Sequence, residues 1–244
     1  MNRCIGLVPL LAMGCVTVDA TTTDTVDVGD IWRVVADVDR GDIAYTGRSG
    51  AAVFDIEART YATANNRPKA RKKMQAVDFT VDASRNELLL SGQTAFNQAG
   101  VDVDVAGPWA IDLDLRSTHH DVFVESVLGS VLLAGEDISA FDVEGDVDIR
   151  AEEDVEAEIY PFELGQVSVR SDDGDCVVWL PRWAPVSIVA HWDPDYTASF
   201  ADLDYDEEFI GDGVYEAARY PANIIVDIEC NGGGLDIREH AATW

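Results

Sequence analysis

From Ile31 onward the chain alternates apolar and acidic residues with a period of two. Val101, Val103 and Val105 are separated by Asp102 and Asp104, and Ile111, Leu113 and Leu115 by Asp112 and Asp114. Val155, Ala157 and Ile159 are separated in the same way by Glu156 and Glu158. Successive side chains of a strand point to opposite faces, so such segments bury one face and wet the other. Helical periodicity is nearly absent. The one candidate runs from Pro68 to Val77, carries the basic run Lys69 to Lys73, and has a proline placed to start it. The expected class is all-β.

A second signal punctuates the strands. Gly-Asp-Ile or a relative of it stands at Gly29-Asp30-Ile31, Gly41-Asp42-Ile43 and Gly145-Asp146-Val147. It returns at Gly129-Ser130-Val131, Gly165-Gln166-Val167 and Gly174-Asp175-Cys176, with Glu136-Asp137-Ile138 and Glu153-Asp154-Val155 as degenerate copies. Glycine opens the turn to positive φ, aspartate bonds backbone nearby, and the third residue re-enters the core. A spacing of about ten residues is the mark of stacked short strands. The expectation is a parallel β-helix or β-roll-like solenoid of short rungs. An antiparallel β-sandwich is the alternative, and the absence of Asn-Gly hairpin turns weighs against it.

Asp42-Ile43, Gly145-Asp146-Val147, Val178 to Pro181 with Val186 to Ile188, and the closing Ile225 to Ile228 and Gly234 to Ile237 carry a family resemblance. They resemble the bacterial putative-adhesin family, related to head GIN and auto-transporter adhesin-like domains. Asn86 to Leu90 is similar to that family's early segment. The resemblance spans about residues 31–237 and implies a right-handed coil with no established catalytic residues. The chain departs from the pattern in its acidity and in the stretch 193–220.

The N-terminus reads as a targeting segment. Arg3 precedes an apolar run from Ile5 to Met13 that is too short to span a bilayer. Leu11 to Cys15 resembles a bacterial lipobox, with Ala12 where that pattern prefers leucine. The expected organisation is a lipoprotein signal at 1–14, an acylated Cys15 with a tether to residue 30, one β-domain over 31–239 with an irregular insertion at about 193–220, and a tail at 240–244. Val16 after the cysteine resembles outer-membrane sorting, which places the protein on the bacterial envelope.

Acidic residues number 46 against 17 basic, for a net charge of −29. Such a surface repels nucleic-acid phosphates and anionic headgroups, so the only membrane contact expected is through the lipid. Cys4 leaves with the signal, and Cys176 and Cys230 remain as an even pair in an oxidising compartment. Cys176 shares parity with Val178 and Leu180, and Cys230 with Val226 and Ile228, so both face the core. A disulfide between them is expected, with two buried free thiols as the competing reading.

Chemistry is sparse. No Gly-x-Ser-x-Gly occurs, and the pair His119-His120 sits in a turn with no partner at metal-ligand spacing. The best cation candidate is Asp202, Asp204, Asp206 and Glu208 with Asp212 beyond, which opens like a calcium-binding EF-hand loop. It has Glu207 where glycine is required and Gly213 where the bidentate glutamate belongs. Apart from weak calcium binding, no cofactor is expected. Trp179, Trp183, Trp192 and Tyr196 crowd one region and form a candidate surface for a glycan or protein ligand. The function expected is an envelope-anchored, non-catalytic, adhesin-like or structural binding module. The alternatives are a carbohydrate-active lyase or hydrolase on a β-helix, and a passive acidic or stress-related envelope protein.

Overall fold

In the computed structural model the described residues are 15–240, apart from 85, 163, 164, 201, 202 and 204. The expected signal segment therefore lies outside the described residues, as does the tail beyond His240. Four strands, β1 (Val16–Asp27), β2 (Arg33–Val38), β3 (Ile43–Arg48) and β4 (Val53–Ala64), precede a helix, α1 (Arg67–Met74). Then come β5 (Asp78–Ala83), β6 (Glu87–Gln93) and β7 (Ala99–Pro108). A regular run follows: β8 (Asp112–Ser117), β9 (Val122–Leu128), β10 (Val131–Gly135), β11 (Ile138–Glu144), β12 (Val147–Ala151), β13 (Val155–Tyr160), β14 (Gln166–Ser171) and β15 (Cys176–Pro181). The remainder is β16 (Val186–Trp192), β17 (Ala198–Ser199), β18 (Glu207–Ile210), β19 (Val214–Ala218), β20 (Ile224–Cys230) and β21 (Leu235–His240).

The protein is all-β, in two large sheets. Odd-numbered strands of the regular run lie in the first sheet and even-numbered ones in the second, each parallel to the strand two places on. Each turn of chain thus lays one rung on both sheets. Pairing here is parallel throughout, which rules out the antiparallel sandwich for this stretch; antiparallel pairs occur at the two ends.

Parity alone decides the core. In the second sheet Leu88, Val34, Leu113, Val131, Val147, Val167, Val226 and Ile188 stand in one file across the rungs. Each is 2% exposed or less, except Val147 at 3%. In the first sheet Val103, Ile43, Val122, Ile138, Val155, Cys176 and Leu235 make the matching file. Burying one such aliphatic side chain contributes roughly 1.5–3 kcal/mol, so each file is a large part of the folding free energy.

The corners work across rungs. Asp137 Oδ1 accepts from Asp154 N at 2.9 Å, Asp154 Oδ1 from Asp175 N at 2.8 Å, and Asp175 Oδ1 from Gly234 N at 2.6 Å. A second ladder has Asp112 Oδ1 on Ser130 N at 2.8 Å and Asp146 Oδ1 on Gln166 N at 2.9 Å. Each aspartate satisfies the corner amide of the neighbouring rung, 17 to 21 positions away or, for Asp175, 59, rather than backbone beside itself. Gly145 shows what the corner demands: its φ is +149°, and a Cβ there would lie 1.8 Å from Gly129 O.

Four expectations need correction. The segment 15–30 is no tether, because β1 pairs antiparallel with β4 along its whole length, from Val16 against Ala64 to Asp27 against Val53. Its Thr and Val suit an extended chain, and β4 offers it an edge. The helix spans Arg67–Met74, capped by Asn66 Oδ1 accepting from Lys69 N at 3.0 Å, and so starts one residue before Pro68 and ends three before Val77. The stretch 193–220 is not wholly irregular, since β18 and β19 form an antiparallel ladder on the edge of β16.

The disulfide is the fourth. Cys176 and Cys230 both face the core and meet, but as free thiols. Cys230 follows Ser171 in a file of small corner residues, and its Sγ donates to Gly174 O at 3.2 Å and Gly234 O at 3.3 Å. Ser171 Oγ makes the same kind of bond to Gly174 O at 3.1 Å. The thiol thus takes the place of a corner hydroxyl. Its hydrogen bond with Cys230, added to burial, pushes the Cys176 thiol well above the usual range.

Candidate functional site

The outer face of the first sheet carries the arrangement with most chemical character. Glu125 of β9 pairs with Phe141 of β11, and Glu158 of β13 pairs with Trp179 of β15, which pairs with Arg238 of β21; the two groups form one band across five neighbouring strands, with the β11–β13 register shift between them. Neighbouring strands lie ~4.8 Å apart, so the band extends about 19 Å. Phe123, 36% exposed, packs on Phe141 with ring centroids 6.1 Å apart. Arg238 lies over the Trp179 ring at 5.3 Å from its centroid, and Arg238 Nε holds Asp236 Oδ2 at 2.8 Å.

The backbone is specialised beside this band. Ser126 has φ 59° and Asp142 φ 53°, and the register of β11 on β13 shifts between Ala140 and Val143. Ser126 Oγ donates to Asp142 Oδ2 at 3.0 Å, so the two unusual residues support each other on adjacent rungs. Bulges and left-handed non-glycine residues re-aim side chains and gather where ligands bind.

The far end of the band is a polar cluster. Tyr160 OH donates to Glu158 Oε1 at 2.9 Å, and the Tyr160 and His240 rings meet edge-on at 4.7 Å. His240 Nδ1 is 3.9 Å from Glu158 Oε1. Burial, then the bond to Glu158, pushes the Tyr160 hydroxyl up to about 12, so it stays a donor at neutral pH. Aromatic faces beside carboxylates, a phenol and a guanidinium can stack on flat apolar surfaces while accepting from hydroxyl groups.

The sequence candidates are scattered by comparison. Trp179 is in the band. Trp183 is 48% exposed in the turn after Pro181, and Tyr196 is 47% exposed in the loop before β17. Trp192 turns inward, edge-on to Phe200 at 5.5 Å, while Phe200 stacks on Tyr215 at 4.0 Å. Its role is to pack the end of the coil. Of the cation candidates, Asp202 and Asp204 lie outside the described residues; Asp206 Oδ2 accepts from Tyr220 N at 2.9 Å, and Glu208 is exposed. Among the described residues no three His, Cys, Asp or Glu side chains converge on a metal-sized site. Cys15 is exposed immediately before β1.

Phe123, Phe141, Tyr160 and Arg238 went unnoticed in the sequence. Phe123, Phe141, Tyr160 and Trp179 follow one another at steps of 18 or 19 positions. That is the length of a whole rung rather than of one strand, and a search at that period finds them.

No family model matches this chain, and no curated protein matches it. Solved structures do. A putative cell adhesion protein from Clostridium sporogenes aligns with a TM-score of 0.52 at 11% identity, over 91% of this chain and 100% of that one. Putative adhesins from Bacteroides fragilis and Parabacteroides merdae align at 11% identity each, with TM-scores of 0.33 and 0.30. Each covers 89% of this chain, and 97% and 95% of their own. With the Clostridium sporogenes protein this chain shares its fold. No helix among the described residues is long and apolar enough to cross a membrane.

Proposed function

We propose that this chain is a non-catalytic binding module of the adhesin kind, held on the bacterial envelope through an acylated Cys15, and that the outer face of its first sheet takes an extended carbohydrate. The observation that carries the reading is the band of Phe141, Glu158, Trp179 and Arg238, set on a parallel sheet with the Ser126–Asp142 bulge at Phe141. Phe141 and Trp179 are two strands apart, about 9.6 Å, with a carboxylate between them. That alternation offers ring faces and hydroxyl acceptors in turn along a sugar chain. The likeness in fold to a protein described as a cell adhesion protein accords with this reading.

The experiment is surface plasmon resonance of the purified protein over immobilised bacterial surface polysaccharides. The wild type is expected to bind at least one of them, with Phe141→Ala and Trp179→Ala each weakening it about tenfold. Retention of no polysaccharide, or equal binding by both variants, overturns the reading. Acylation is tested separately by the mass of the protein extracted from membranes, and a free Cys15 thiol would remove the anchor from the proposal.

A further inference from the structure

The net charge conceals a sharp segregation at one end of the molecule. Residues 58–77 contain no Asp or Glu, and neither do 94–101 or 15–18. The fold brings these three stretches together. Val16 pairs with Ala64, Ala62 pairs with Ala99, and α1 packs on β1, β4 and β7. Lys73 Nζ ties the group by donating to Thr63 O at 3.2 Å and to Gln98 Oε1 at 2.5 Å. Ala70 is the buried contact of α1; at 100° per residue Lys72 falls about 160° from it, on the outer face, and Lys69 and Arg71 about 100° to either side. All three are exposed.

Most of the other cations are paired with carboxylates, and these are not. Nine arginines elsewhere, from Arg33 to Arg238, lie within 4 Å of a carboxylate. Among the described residues Arg67, Lys69, Arg71 and Lys72 have none. The first carboxylates met along the ribbon, Asp19 and Asp102, sit 3.8 and 3.9 Å from Arg59. Val16 and Phe96, 36% and 37% exposed, add apolar surface to the same tip. Cys15 is here too: the register that sets Val16 against Ala64 carries it to Asn65, beside the cap of α1.

We infer that the outer face of α1, with the tip of the β1–β4 ribbon, is a docking surface for an anionic lipid bilayer. It holds the body of the protein in one orientation, with α1 against the headgroups. Charges beyond about 8 Å are screened at physiological ionic strength, so the local cluster rather than the net charge governs a contact made at this tip. A polybasic patch beside a lipid anchor adds about 1 kcal/mol, or about fivefold in affinity, per Lys or Arg near an anionic surface and sets which side of the protein faces it. The envelope reading supplies the bilayer, but the contact itself does not need acylation.

The test uses the full chain carrying Cys15→Ser, sedimented with vesicles of phosphatidylcholine alone or with a third of the lipid replaced by phosphatidylglycerol. Binding is expected only to the anionic vesicles, with release in high salt. The variant Lys69→Glu/Arg71→Glu/Lys72→Glu is expected to bind about a hundredfold more weakly. Lys72→Glu alone, a smaller loss in the same direction, serves if the triple variant folds poorly. Equal binding to neutral vesicles, no binding to either, or an unaffected charge-reversed variant overturns the proposal. Preference for soluble heparin over anionic vesicles would make the occupant a polyanion rather than a bilayer, and overturns it also. If the native protein proves unacylated while the Cys15→Ser chain still binds anionic vesicles, the anchor fails and the docking surface stands.

Discussion

The regular coil from β8 to β15 and the ribbon of β1, β4 and α1 are built from many of the same residue types, yet they differ in strand pairing, in burial and in charge. The coil is parallel, buries one face of each strand to near zero exposure, and stacks its carboxylates on the next rung's amides. The ribbon is antiparallel, and β1 is exposed or half-exposed along all 12 residues. At its tip cations replace carboxylates. The coil and the inner face of β4 therefore build the core, whereas β1 and the outer face of α1 are free to serve an interface.

That contrast can be broken by mutation. Gly145→Ala should be the most damaging change, costing roughly 3 kcal/mol or more, because the site has both a forbidden φ and a backbone oxygen in the way. Urea denaturation would show it, and a loss under 1 kcal/mol would mean that the corner yields. Asp114→Ala comes next. Asp114 accepts from Arg33 Nη2 at 2.9 Å and Arg116 Nε at 2.8 Å while only 7% exposed, so its loss strips Arg116 of this carboxylate and leaves Arg33 with Glu87 alone, at a cost of about 1–2 kcal/mol.

Asp104→Asn should act in the opposite sense. Burial, then repulsion from Glu57 and Asp42, holds the Asp104 carboxyl above its ordinary 3.8. Glu57 is its direct cross-strand partner. A raised folded value means that this group's contribution is complete below pH 3.8 and is lost as pH rises through the higher folded value. Asparagine cannot ionise, so this variant should melt higher than the wild type at pH 7, by a few tenths of a kcal/mol given the exposure of the site, and equally at pH 3. The smallest effect belongs to the ribbon. Thr22→Ala removes a 3.4 Å bond to Ala58 O on the exposed β1 and should stay within about 0.5 kcal/mol. A larger loss would show that β1 is part of the cooperative core after all.

Much of the coil is legible in the residues. The alternation at Val101 to Val105 and Ile111 to Leu115 fixes which side chains go inward, and the parity of Cys176 and Cys230 places both in the core. The Gly-Asp corners are legible as corners, although not the carboxylate bond to the next rung, because its partner lies 17 to 21 positions away. The order of rungs is hidden for the same reason. β6 and β7 lie outside β2 and β3, and β20 slips between β14 and β16, through pairings between residues dozens of positions apart. β1 escaped notice because both its faces are wet, so it lacks the one-sided pattern that marks a strand. The aromatic band escaped because its period is that of a rung.

Assignment of the ligand to the first sheet is tested most directly by methyl and amide chemical-shift changes on adding a polysaccharide that the protein retains. Shifts confined to β9, β11, β13, β15 and β21 around Phe141 and Trp179 are the predicted result. Shifts centred on the second sheet, around Arg116, Arg150 and Arg170, or in the loop that carries Tyr196, would contradict it.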